Sequence, residues 1–238
     1  MRFPFISRIY SNIARHVLHS LSNDIQLNQQ LQAVQSTARY VTAAMPKALR
    51  FQDRDALLLD AVKRSASNKG CICEFGVWSG HTLRLMADAA PGRRVHGFDS
   101  FEGLPEDWRT GYAKGAFKTP VPMFTQPNIK LHKGWFDATL PPFLKELEGS
   151  IALAHIDCDL YVSTRCVLDN IIPRLAPGAI LVFDDYFNYP GWEEHEHKAL
   201  MEVVRAKQLK VEYLAYNNVW QQVMVGTQPA RVSRKTKK

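Results

Sequence analysis

Four carboxylates at two places in the chain carry the clearest chemical potential. Asp157 and Asp159 follow the apolar run 151–156 as Asp157-Cys158-Asp159, and Asp184-Asp185 follow the run 179–183. Short apolar runs of this length are expected as buried strands of a parallel sheet, and in open α/β sheets ligands lie just beyond the carboxyl ends of the strands. Carboxylates gathered there repel one another, and a hard divalent cation with oxygen ligands neutralises them. The competing explanation is structural: Asp184-Asp185 would cap the next helix and Asp157 would make a local hydrogen bond.

A second group sits earlier. In Cys71-Ile72-Cys73-Glu74-Phe75-Gly76-Val77-Trp78-Ser79-Gly80 a strand turns through two glycines into a helix. Glycine allows a ligand close to the backbone, and a helix start offers free N–H groups. The full three-glycine dinucleotide fingerprint is missing. The following strand, Val95-His96-Gly97-Phe98, ends in Asp99, where an acid can accept both ribose hydroxyls of a nucleotide-like ligand.

These positions require a sheet to hold them. Apolar strands are predicted at 71–75, 94–98, 128–132, 151–156 and 178–183, with helices near 80–89, 139–148, 163–174 and 194–206. That alternation predicts a doubly wound, mostly parallel sheet. Residues 210–215 and 219–225, joined around Tyr216-Asn217-Asn218, predict a closing antiparallel hairpin. Residues 7–45 have helical spacing, with a stripe of Ile9, Ile13, Val17, Leu18 and Leu21, and a further helix is expected at 53–64. Residues 1–69 are therefore expected as an N-terminal helical cap, 70–226 as the catalytic domain and 227–238 as a basic disordered tail. The stripe is compatible with a homo-oligomer contact or with a cover for its own domain. The irregular stretch 101–127, rich in Gly, Pro and aromatics, is expected as a functional loop.

Composition sets the remaining bounds. With 46% hydrophobic and 22% charged residues, the 238-residue chain is of ordinary globular type. The net charge of +7 invites a nucleic-acid partner, but Arg231, Arg234, Lys235, Lys237 and Lys238 carry most of it, so none is expected. No apolar run approaches a membrane span, so no membrane partner is expected either. Cys71, Cys73, Cys158 and Cys166 lack zinc spacing and suit a reduced, cytoplasmic setting.

Taken together, Glu74-Phe75-Gly76-Val77-Trp78-Ser79-Gly80, Phe98-Asp99-Ser100-Phe101-Glu102-Gly103-Leu104-Pro105, the segment His155 to Thr164, and Phe183-Asp184-Asp185-Tyr186 resemble the macrocin O-methyltransferase family. The resemblance covers about residues 70 to 226. It implies a Rossmann-like class I methyltransferase fold that uses S-adenosylmethionine and a divalent cation, magnesium above all, to methylate a hydroxyl of a sugar-containing small molecule. By the same resemblance, Glu74, Gly76 and Gly80 surround the amino-acid portion of the methyl donor and Asp99 holds its ribose. Ser100 and Phe101 lie beside the nucleoside, and Trp135 and Phe136 approach the adenine. Asp157, Asp184 and Asp185 are implied as metal ligands and Asp159 as general base.

Other residues nearby take lesser roles. His155 is expected as a packed histidine within its strand, and His195 and His197 on a solvated helix face. Tyr186, Phe187, Tyr189 and Trp192 suit either an acceptor platform or loop packing. Two rival functions use the same features: a nicotinamide-dependent oxidoreductase, disfavoured by the missing third glycine, and a non-catalytic binding module, disfavoured by the intact acids.

Overall fold

The computed structural model describes residues 12, 13, 15–17, 19 and 22–228. Residues 229–238 of the expected tail and most of the stripe near the N-terminus lie outside them, whereas Thr227 and Gln228 belong to the last strand. The first full helix, α1 (Ile25–Ala44), starts where the Asp24 carboxylate accepts from the Leu27 N–H. Next come strand β1 (Leu49–Phe51) and helix α2 (Arg54–Ser65), the latter capped by Asp53. The alternation then proceeds as β2 (Cys71–Phe75), α3 (His81–Ala89), β3 (Val95–Asp99), β4 (Ile129–Lys133), α4 (Phe136–Glu146), β5 (Ile151–Ile156), α5 (Tyr161–Ile171) and β6 (Leu175–Phe183). Helix α6 (Glu196–Lys207) precedes the hairpin of β7 (Lys210–Asn217) and β8 (Val223–Gln228).

The eight strands form one sheet in the order β1-β7-β8-β6-β5-β2-β3-β4, with β8 antiparallel to both β6 and β7 and every other pair parallel. This is the mostly parallel, hairpin-closed sheet predicted from the sequence. Residues 49–65 depart from the expected helical cap: β1 pairs with β7, and α2 packs on the sheet and on α3. Three residues are too short to show a strand period, so the sequence pattern could not reveal β1.

Strand β5 explains why the sheet is double-faced. All six of its residues are buried, with Leu153 packing into the core on one face and Ala154 and Ile156 into the core on the other. The chain leaves β2 toward β3 on one side, whereas β5 flanks it on the other. The crevice beyond the carboxyl ends of β2 and β5 is the topological switch point where open α/β sheets bind ligands. Among the described residues no helix is long and apolar enough to cross a membrane.

Candidate active site

A cavity of about 350 Å³ opens at this switch point. Gly76, Asp99, Ser100, Trp135 and Phe136 line one side; Asp157, Asp159, Asp184 and Asp185 line the other. The two groups inferred from separate sequence motifs thus share one cavity.

The glycine turn is built differently from the expectation. Gly76 has φ +95°, and a Cβ there would stand 1.8 Å from the Asp157 carbonyl oxygen, so the neighbouring strand end requires the glycine. The N–H groups of Val77 and Trp78, expected to face a ligand, both donate to Asp99 Oδ2 at 2.8 Å, while Phe101 N–H donates to Oδ1 at 2.7 Å. Asp99 is thereby fixed at the cavity wall.

Three residues expected at the methyl donor lie outside the cavity lining. Glu74 is wholly buried and pairs with His155 Nδ1 at 2.9 Å. A Cβ on Gly80 would meet the Phe124 ring at 2.6 Å, so this glycine admits the 101–127 loop. The buried Phe101 ring joins the core. These placements share a cause, since a motif specifies a strand and a turn but not which side chains the neighbouring strands cover.

The carboxylates are unequal. Asp184 Oδ1 accepts from Gln222 Nε2 at 2.7 Å and lies 3.5 Å from His155 Nε2, while Oδ2 accepts from Arg54. Burial opposes its ionisation, but the hydrogen bonds and charges of His155 and Arg54 outweigh that and hold its pKa below the ordinary value. Burial likewise opposes the His155 imidazolium, yet its bonds to Asp184 and Glu74 keep its pKa well above normal.

Asp157 and Asp159 are pushed well above the usual carboxylate range, first by burial and then by neighbouring carboxylates. Burial and Asp184 raise Asp185 to about 7, although Arg109 Nη2 stands 3.7 Å from its Oδ1. Ligand atoms of Asp157, Asp159 and Asp185 lie within 4.8 Å of one another, as do those of His155, Asp157 and Asp184. The all-oxygen group of Asp157, Asp159 and Asp185, two of them buried, fits a hard divalent cation.

Of the two readings for the aromatics after Asp185, packing is the one observed. Tyr186, Phe187, Tyr189 and Trp192 are at most 2% exposed and form core, whereas Trp108, Tyr112 and Phe117 of the 101–127 loop line the cavity with Trp220. Arg109 is held over the rings of Trp108 at 3.9 Å and Tyr189 at 4.6 Å. His197, expected on a solvated face, packs edge-on against Tyr40, Tyr186 and Trp192. Arg54, Arg109, Gln222 and Glu196 were missed because each comes from an element without a motif, and only the fold brings them to the acids.

A methyltransferase-domain family model matches residues 73–186, the stretch from β2 through the Asp184-Asp185 pair. A tetracenomycin-pathway sugar O-methyltransferase, 8-demethyl-8-(2,3-dimethoxy-alpha-L-rhamnosyl)-tetracenomycin-C 4'-O-methyltransferase of Streptomyces olivaceus, is 33% identical over 49% of this chain and 53% of its own length. Residues 73–186 are thus similar to a methyltransferase domain, and the relatives matched are named as O-methyltransferases. Demethyldecarbamoylnovobiocin O-methyltransferase of Streptomyces niveus is 28% identical, over 56% of this chain and 60% of that one. The chain therefore spans little more than half the length of these relatives.

Solved structures of O-methyltransferases are similar in fold. A calicheamicin methyltransferase superposes with a TM-score of 0.59 at 25% identity, covering 86% of this chain and 93% of that one. The O-methyltransferase NovP superposes with the same score at 22% identity, over 74% of this chain and 80% of its own. The likeness supports a Rossmann-like class I methyltransferase fold for the sheet described above.

Proposed function

We propose that the protein transfers a methyl group from S-adenosylmethionine to a hydroxyl of a sugar or glycosylated small molecule, with magnesium or another hard divalent cation held by Asp157, Asp184 and Asp185. The observation that carries this reading is the single cavity uniting Asp99 with four strand-end carboxylates, three of them buried. The names of the relatives add the acceptor class, since they describe O-methylation of glycosylated compounds. A reducing, cytoplasmic setting suits four free cysteines, three of them buried.

In this reading Asp99 receives the ribose hydroxyls, and Ser100, Trp135 and Phe136 border the nucleoside. The donor supplies an electrophilic methyl group on a sulfonium. Asp159 takes the hydroxyl proton as the acceptor oxygen bonds to the methyl carbon and the carbon–sulfur pair returns to sulfur. A divalent cation lowers the pKa of a bound hydroxyl, which a neutral sugar needs near pH 7. Trp108, Tyr112 and Trp220 offer apolar faces to a sugar ring.

One observation favours a second assignment within the same function. Gln222, His155 and Arg54 already engage Asp184, whereas Asp159 groups with Asp157 and Asp185. Asp159 would then be a cation ligand and Asp184 the anchor of the cluster. Methyl transfer from labelled S-adenosylmethionine to a panel of glycosides and phenols, with and without magnesium, tests the function. Failure of the purified protein to bind S-adenosylmethionine would overturn it.

A further inference from the structure

Glu196 is the first residue of α6 and is fully buried, although nothing in the sequence pattern distinguishes it from the exposed acids Glu193 and Glu194 just before it. Its carboxylate spans two strand ends: Oε1 accepts from Cys158 N–H at 3.3 Å and Oε2 accepts from Asp185 N–H at 3.1 Å. Cys158 lies between Asp157 and Asp159, and Asp185 is itself one of the clustered acids. One side chain on α6 thus ties together both carboxylate-bearing turns.

We infer that Glu196 is a positioning residue that sets the spacing between the Asp157-Cys158-Asp159 turn and the Asp184-Asp185 turn. The turn after β5 needs such a hold, since Asp159 has φ +61°, a left-handed conformation unfavourable for a residue with a side chain. Two N–H donors converge on Glu196, so it must present two acceptors. A carboxylate does so, whereas a glutamine amide would turn its own NH₂ toward one of the donors.

Outer hydrogen-bonding groups that fix the turns carrying metal ligands strengthen a site's hold on its cation, and Glu196 reaches both turns. This inference rests on reading the strand-end acids as cation ligands and proton acceptor.

The decisive variant is Glu196→Gln in the full chain, with Glu196→Asp as the conservative companion. Magnesium binding is measured by calorimetry without acceptor, S-adenosylmethionine binding separately, and turnover with a reactive acceptor. Glu196→Gln is expected to weaken magnesium binding and lower kcat by about 10-fold or more, leaving donor affinity within about 2-fold. Its thermal midpoint should fall modestly, because one of the two buried N–H groups loses its acceptor. Glu196→Asp, which keeps both acceptors on a shorter arm, should fall between the two and supplies the comparison if the glutamine variant fails to fold. Wild-type magnesium affinity and kcat in Glu196→Gln overturn the inference alone. A wild-type protein that neither binds magnesium nor transfers methyl overturns the functional reading along with it.

Discussion

At the scale of single residues, the partners reaching each carboxylate separate groups that the sequence presents alike. Asp184 is neutralised by Arg54 and His155, while Asp157 and Asp159 have neighbours that are mostly acids. If Asp159 is the base, Asp159→Asn keeps magnesium binding and loses turnover; if it is a ligand, the same variant loses both. Calorimetry with magnesium alone distinguishes these outcomes, and Asp184→Asn is expected to lose binding and turnover together. Asp99 carries a double burden, accepting three backbone N–H groups beside the cavity. Asp99→Ala should therefore abolish measurable S-adenosylmethionine binding and also lower stability by about 1–3 kcal/mol, which urea unfolding can measure. Binding equal to wild type would remove Asp99 from the donor site.

At the scale of elements, helix α1 stands behind the cavity without lining it. Asn188 N–H donates to Thr37 Oγ1 at 3.0 Å, Gln30 Nε2 donates to the Asn188 carbonyl at 2.9 Å, and Trp192 Nε1 donates to Ser36 Oγ at 2.9 Å. These bonds hold the loop that carries Tyr189, which in turn supports Arg109 beside Asp185. Thr37→Val should release this loop, costing about 1–3 kcal/mol and raising the acceptor KM while donor affinity stays unchanged, and Thr37→Ser should restore it. Equal effects on donor and acceptor would show general loosening instead. The β2–β5 junction is less tolerant. Gly76→Ala drives a Cβ into the Asp157 carbonyl and should cost about 3 kcal/mol or more in urea unfolding.

At the scale of the whole molecule, stability has a pH dependence unrelated to the cavity. His96 and His132, paired at 3.0 Å near the β4 edge of the sheet, are each lowered to about 4 by burial, with further lowering from Lys130. Unfolded histidines bind protons near pH 6.5, so between about 4 and 6.5 the unfolded pair holds more protons than the folded pair. The pair's contribution to stability is then fully present above pH 6.5 and is lost as pH falls toward 4. His132→Phe preserves the stack on Phe98, whose ring centroid lies 4.4 Å away, and should flatten this acid limb. Thermal midpoints of variant and wild type that stay parallel from pH 7.5 to pH 4.5 would exclude the pair as its source.

Periodicity and strand-end chemistry by themselves determined the alternating strands, the closing hairpin and the positions of Asp99, Asp157, Asp159, Asp184 and Asp185, because burial on both faces demands apolar runs and polar groups then gather where the runs stop. Tertiary structure alone decided what stands beside those acids. Arg54, Arg109, Glu196 and Gln222 arrive from α2, a loop, α6 and the β7–β8 turn, and the aromatics after Asp185 turn inward while those of the 101–127 loop face the cavity. A local pattern records which face of its own element is buried. It carries no record of which distant element does the burying, and charge neutralisation, hydrogen bonding and cavity lining all depend on that neighbour.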